Sequence, residues 1–263
     1  MSSSADAARA ELPRQAATYD GVPASTLAGR LEVPALLLFD QVGSTFDIAH
    51  RVGPDARAGT LVLADEQTAG RGRHGRRWVS APGAGVWLTL IERPSDARAL
   101  DVLALRCGLY AAEALDDLAG ASIGVKWPND LYVGPYKLAG TLIETRWRGT
   151  APDWVAIGVG LNVIAPDLST GVGLRAGVSR VDVLERLVPA VRRAASATRH
   201  LSDDELARWK RRDVATDRAL VAPAFGRSAG ITREGELLVA DAAGTLTRHR
   251  TGSLTFAEPP ACS

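Results

Sequence analysis

Residues 70–78 read Gly70-Arg71-Gly72-Arg73-His74-Gly75-Arg76-Arg77-Trp78: four arginines, one histidine and three glycines in nine positions. The whole chain of 263 residues has a formal net charge of only +1, so this is a local concentration of positive charge. Glycine interrupts helix and strand alike, and it lets backbone N–H groups approach a bound molecule closely. Arginine supplies planar, permanently charged forks that match carboxylates and phosphates. The segment reads as a clamp for a small anion, ordered by its ligand because so many glycines make free-state order costly in entropy. The plainer readings are a solvated basic loop or an RNA-binding tail. Arginine–glycine RNA tails are longer low-complexity stretches outside a fold. This one is embedded between strand patterns and ends on Trp78, which can anchor it to a core.

Working outward, strand-like runs recur at 35–40, 60–64, 85–91, 123–127, 137–147 and 154–163. Helical patterns lie between and after them. Ser44 or Thr45 caps a helix to about Val52, and 97–118 carries apolar residues at three- and four-residue spacing before Gly120. Residues 179–199 form an amphipathic helix that Pro189 kinks or splits, and Ser202 and Glu205 are spaced as a capping box. After Asp213 the texture changes to short alternating runs broken by glycine. The expected fold is α+β. A leader over 1–32, partly disordered, precedes a mixed-sheet domain flanked by helices over 33–212, and a small β-barrel follows over 213–263.

Composition sets limits on function. Apolar residues make up 46% of the chain, enough for a sizeable core, and the near-zero net charge gives no global footprint for nucleic acid or anionic membrane. The longest apolar run, 33–39, contains Pro34 and falls far short of the roughly 20 residues a membrane helix needs. The start of the chain lacks a secretory apolar region. Cys107 and Cys262 form no metal or redox motif, which fits a reducing cytoplasm, and the four histidines show no ligand spacing.

Two further constellations carry chemistry. Lys126-Trp127-Pro128-Asn129-Asp130 puts an amide and a carboxylate at a strand end, and a carboxylate beside phosphates is the usual holder of Mg²⁺. In Lys137-Leu138-Ala139-Gly140 the lysine begins a strand, and an inward lysine is costly to bury unless it meets an anion. A salt-bridged lysine and an ordinary turn would account for the same residues. Gly158-Val159-Gly160-Leu161-Asn162 leaves one strand face bare, so that a ligand or another backbone can come close.

In this order, with Ser44-Thr45 and Gln67 upstream, these motifs resemble the catalytic core of a biotin protein ligase. The likeness is strong over 36–165 and looser in the C-terminal β segment. It implies that Ser44, Thr45 and Gln67 hydrogen-bond the biotin ureido head, with Phe46 beside them. It implies that Gly70, Arg71, Gly72 and Arg73 close over carboxylate and phosphate, and that Gly140 and Gly158 lie against the ligand. Lys137 would stand between carboxylate and α-phosphate. Arg71, Arg73, Arg76, Trp78, Asn129, Lys137 and Asn162 would serve ATP, and Asp130 would stand near Mg²⁺ or the incoming amine. Lys137, Arg73 and Asp130 are thus the expected catalytic set. The implied substrates are biotin and ATP with Mg²⁺, and the implied partner is a biotin carboxyl carrier domain. A ligase that does not bind an operator, monomeric or homodimeric, is expected. The family commonly has Asn after Ser-Thr, where this chain has Phe46, a ring that reshapes the pocket mouth or packs beneath it. A lipoate or octanoate ligase and a non-catalytic biotin or nucleotide module are the alternatives.

Overall fold

Asp-Gly is a dipeptide favoured by two-residue type I′ hairpins, because both central residues need positive φ. Asp20 and Gly21 take φ of 49° and 78° in the computed structural model, which describes residues 12–257. They join β1 (Thr18–Tyr19) to β2 (Val22–Pro23), and helix α1 (Ala24–Arg30) follows. Tyr19, Leu27 and Leu31 are buried in the main core, and the Ala16 N–H donates to Leu38 O. The leader expected over 1–32 is therefore corrected: from about residue 16 it is folded structure. A few large side chains fix it, too sparse to make a periodic pattern. Its first eleven residues lie outside the described ones.

A seven-stranded mixed sheet forms the centre. Its strands are β3 (Leu36–Val42), β4 (Thr60–Gln67), β5 (Gly85–Glu92), β6 (Gly124–Lys126), β7 (Asp130–Val133), β8 (Tyr136–Arg148) and β9 (Ala151–Asn162). They are ordered β3-β4-β5-β9-β8-β7-β6, with β3 and β4 parallel and every other pair antiparallel. Asp130, expected at the end of the strand over 123–127, opens β7 instead.

Helix α2 (Thr45–Val52) covers part of one sheet face through Phe46, Ile48 and Ala49, packed on Phe39, Val62, Ile91 and Trp154. The other face carries α3 (Leu103–Ala119) and α4 (Arg180–Ser196). A 3₁₀ turn over Ala97–Val102 precedes α3, and Gly120 ends it at φ 68°, the left-handed cap that glycine favours. Pro189 neither splits nor ends α4. It lies on the exposed side, where water can satisfy the freed carbonyl, while Leu184, Leu187, Val188 and Val191 hold the buried side.

Helix α5 (Asp203–Arg212) starts with the expected Ser202–Glu205 capping box. The C-terminal strands are β10 (Ala219–Ala222), β11 (Gly226–Ile231), β12 (Leu237–Ala240), β13 (Leu246–His249) and β14 (Thr255–Phe256). They form one antiparallel sheet, β13-β12-β11-β10-β14, with β13 and β14 as its edges. Leu220, Leu237, Val239 and Leu254 share the main core with α3 and α4.

Glu205 does more than cap. Arg106 donates to it from Nε (2.7 Å) and Nη2 (3.2 Å), Tyr110 from its hydroxyl (2.9 Å) and Ser202 from its N–H (2.9 Å). Burial alone would raise its pKa, but these donors hold the carboxyl well down, at about 2, against an ordinary 4.5. A carboxylate with a depressed folded pKa adds stability above its unfolded pKa and loses it as pH falls through the folded value. Glu205→Gln should therefore cost about 3–5 kcal/mol at neutral pH, the usual penalty for stranding a buried charge. Urea-midpoint titrations should also show a weaker loss of stability between pH 4.5 and 2 in the variant than in the unsubstituted chain.

Candidate active site

Every second residue of β9 faces the same side of the sheet. Trp154 and Ala156 on that side are buried beneath α2, and then Gly158 and Gly160 present no side chain. Gly158 lies between Thr89 of β5 and Leu142 of β8, and Gly160 between Trp87 and Gly140. The Gly160 row continues through Asp130 of β7 to Lys126 of β6. It crosses four inter-strand gaps, about 19 Å at the usual spacing. A crevice runs along these rows, and residues of the arginine–glycine loop form its outer wall.

Two rings of the chain itself occupy the room the glycines leave. A Cβ on Gly158 would fall 2.2 Å from the Phe46 ring, and one on Gly160 would fall 2.5 Å from the Trp78 indole. Trp78 also packs edge-on against Trp87, with ring centroids 6.4 Å apart. Its indole N–H is buried without a hydrogen-bond partner among the described residues.

The α2 end of the crevice is polar and tightly connected. Gln67 Oε1 accepts from the Thr45 N–H (2.9 Å), the Thr45 hydroxyl (3.1 Å) and the Ser44 hydroxyl (3.4 Å). Its Nε2 donates to Ser80 Oγ (2.9 Å), and the Thr89 hydroxyl donates to Thr45 Oγ1 (2.8 Å). Ser44 is also the α2 N-cap, accepting the Phe46 N–H. The sequence brings Ser44, Thr45 and Gln67 together through β4, whose last residue is Gln67, running parallel to β3 just before α2.

The middle and far end are cationic. Lys137 Nζ lies 2.8 Å from Asp130 Oδ1 and 5.1 Å from the Trp78 ring centre. Arg73 Nη1 donates to Asn129 Oδ1 (3.3 Å), whose Nδ2 donates to Thr141 O (2.7 Å). Lys126 lies over the rings of Tyr132 (5.2 Å) and Phe256 (5.1 Å). Burial pushes the pKa of both Arg73 and Lys126 below their ordinary values, the nearby cations add to this, and Asp130 opposes it. Burial and Asp130 together push the Tyr132 hydroxyl up to about 12. Four loop arginines and two lysines line the crevice, with Asp130 as its carboxylate. Such a site favours an anion.

The loop is more regular than its composition implied. Trp78 N–H donates to Gly70 O, Gly72 N–H to Arg76 O and Arg76 N–H to Arg73 O, which makes a hairpin with a tip at 73–75. Its own backbone bonds offset the glycine entropy. Gly70 is required by close approach, since a Cβ there would lie 2.5 Å from Trp78 O. Arg71 is paired with Asp47 of α2.

Of the residues singled out in sequence, Thr45, Phe46, Gln67, Arg71, Gly72, Arg73, Arg76, Trp78, Asn129, Asp130, Lys137, Gly140 and Gly158 line the crevice. Ser44 lies fully buried behind Gln67, and Gly70 lines the adjoining hollow beneath the loop. Asn162 does not reach the crevice: it is buried, and its amide donates to Val172 O (3.2 Å). Among the described residues no three His, Cys, Asp or Glu side chains gather to hold a metal. Sequence reasoning did not reach Ser80, Thr89, Leu142, Tyr132, Ser253 or Leu254. Thr89 was accessible in principle, since a hydroxyl between Trp87 and Ile91 breaks an apolar strand face.

The model of the biotin/lipoate A/B protein ligase family matches residues 40–162. The bifunctional ligase/repressor BirA of Escherichia coli (strain K12) is 30% identical over 233 residues, covering 82% of this chain and 72% of that protein. The chain belongs to the biotin/lipoate A/B protein ligase family. The biotin–[acetyl-CoA-carboxylase] ligase of Mycobacterium tuberculosis is 39% identical over 130 residues, 47% of each chain. The match to BirA of Bacillus subtilis is 34% identical and covers 58% of this chain, which spans about half (51%) of that relative's length. A solved biotin protein ligase from Aquifex aeolicus, in complex with biotin and ATP, shares the fold with TM-score 0.65 and 23% identity. That likeness covers 84% of this chain and 98% of that one.

In this biotin/lipoate ligase family member, the Trp78–Gly160 contact makes a direct test of the crevice floor. Gly160→Ala should destabilise the protein by about 1–3 kcal/mol through overpacking. Trp78→Ala should relieve that added cost, and a double-mutant cycle by chemical denaturation reads the coupling.

Proposed function

We propose that the chain is a biotin–protein ligase that works in two steps. The observation that carries this reading is the crevice, polar at one end and rich in cations along the rest. Relatives named as biotin–[acetyl-CoA-carboxylase] ligases support it, as does the fold shared with a ligase in complex with biotin and ATP. Gln67 and Thr45 meet the ureido head, whose polar groups would cost free energy if left unpaired, and Ser44 holds Gln67 from behind. A biotin carboxylate oxygen attacks the α-phosphorus of ATP, the bond to pyrophosphate breaks, and biotinyl-5′-AMP forms. The amine of a carrier-domain lysine then attacks the acyl carbon, forming the amide and releasing AMP and a proton.

The first step brings two anions together, so cationic charge is what it needs. A single cation at about 4 Å offers roughly 4 kcal/mol of attraction at an effective dielectric of about 20, before desolvation. Lys137 is assigned to the point between carboxylate and α-phosphate, and Arg73 with Arg71 to the closing loop, as preorganised electrostatics. Arg76, Trp78 and Asn129 are assigned to the nucleotide side. Loop closure would keep water from the mixed anhydride. Mg²⁺ arriving with ATP would neutralise triphosphate charge. Asp130, engaged by Lys137, fits it only as one ligand among phosphate oxygens and waters, the usual mode for nucleotide-bound Mg²⁺.

The carrier domain as partner and the cytoplasm as location belong to the same reading. No helix among the described residues is long and apolar enough to cross a membrane. Cys107 is buried, and burial pushes its thiol up to about 12.

Pyrophosphate exchange into ATP with biotin, lipoate, octanoate or no acid tests the reading. Biotin-dependent exchange is expected. Exchange with lipoate or octanoate alone would replace biotin as the substrate, and no exchange with any acid would leave a binding module. Lys137→Ala should reduce exchange by at least two orders of magnitude with an unchanged melting temperature. Arg73→Ala should instead release biotinyl-5′-AMP into solution, measurable by chromatography.

A further inference from the structure

Phe46 is the one residue of the Ser44-Thr45-Phe46 cap that cannot hydrogen-bond through its side chain, yet it lines the crevice at the polar end. Its ring is 3% exposed and is seated against the bare backbone of Gly158, where a Cβ would stand 2.2 Å and 2.6 Å from two ring carbons. Its position is fixed from behind. The backbone N–H is held by Ser44 Oγ, and the ring packs against His50 (centroids 6.1 Å apart), which packs in turn against Trp154 (5.6 Å). The wall it forms is continued across the sheet by Leu142, the cross-strand neighbour of Gly158. Beside this wall stand Thr45 and Gln67, already hydrogen-bonded to each other.

We propose that Phe46 is a specificity-determining residue, held by the Gly158 notch, that reads the apolar part of the acid's head by shape. This rests on the reading of the crevice as a biotin site. A polar residue in its place would add a hydrogen bond to the urea edge. A ring adds none, and it closes the space beside the urea-binding residues with a rigid apolar surface. The head is then recognised by two separate means: the cyclic urea by Thr45 and Gln67, and the fused sulfur ring by contact with Phe46. Acids that carry the same urea without the fused ring should satisfy the polar set and leave the wall unfilled.

Biotin and desthiobiotin make this comparison, since both carry the cyclic urea and only biotin has the second ring. The ratio of their kcat/KM values in pyrophosphate exchange should fall by roughly 10- to 200-fold in Phe46→Ala, the range for a lost apolar pocket contact. Gln67→Ala should weaken both acids and leave the ratio within about threefold of its starting value. Gly158→Ala should push the ring into the crevice and raise KM for biotin, and Phe46→Ala in that background should lower it again. Phe46→Leu, which keeps an apolar side chain, should retain most of the ratio. An unchanged ratio in Phe46→Ala overturns the proposal while biotin-dependent exchange by the unsubstituted chain leaves the ligase reading standing. No exchange with either acid in the unsubstituted chain overturns both.

Discussion

A sheet that hosts a ligand must keep its hydrogen-bonded ladder and still make room on its face. Here the parity of β9 settles that conflict. The side chains on its crevice side run Trp154, Ala156, none at Gly158, none at Gly160, then Asn162. At one end they are large enough to carry α2, and Gly53 lets that helix approach, since a Cβ there would lie 2.7 Å from Trp154. At the other end they vanish while the backbone pairing to β5 and β8 continues unbroken. The N-terminus of α2 is thus fixed at the border between packed and bare sheet, and Ser44 stands there because it caps the helix that Thr45 begins. Gln67 joins them from the end of β4, so one polar cluster ties helix, strand and loop at the mouth of the crevice.

The second constraint is electrostatic. Outside the crevice the buried or half-buried arginines are matched: Arg106 by Glu205, Arg180 by Asp20 and Asp65, Arg212 by Asp116. Inside it, Lys126 lies over two aromatic faces, which attract a cation without cancelling its charge, and the single carboxylate of the lining, Asp130, is paired with Lys137. The surplus can therefore be concentrated in one place while the whole chain stays near neutral. A field focused in this way by low-dielectric walls draws anions into the crevice.

Much of this was legible in the residues. The glycine pairs, the lysines and the arginine loop carry their chemistry in their spacing, and the strands and caps followed from local periodicity. What was not legible depended on partners distant in sequence. Glu205 announced a helix cap, but its pairing with Arg106 comes from α3 lying beside α5. The hairpin in residues 70–78 was hidden by its glycines, because composition reports the entropy cost and not the backbone bonds that offset it. Asn162 ends a motif whose glycines reach the crevice, but its amide is used to fasten the end of β9 to Val172. Tyr19 and Leu27 gave too short a signal to reveal that the stretch before β3 belongs to the core.

The C-terminal sheet shows why a change of texture along a chain need not divide its function. Trp127, in the middle of the Lys126–Asp130 motif, is buried and donates its indole N–H to Gly235 O (3.0 Å). Gly235 is itself close against α3, where a Cβ would stand 2.7 Å from Leu105. Phe256 of β14 lies under Lys126, and Ser253 and Leu254 complete the crevice lining. The far end of the crevice is thus assembled from both halves of the chain around one tryptophan. Lys126 is held between Tyr132 of the main sheet and Phe256 of the small one, so the docking of the small sheet and the electrostatics of that end are coupled.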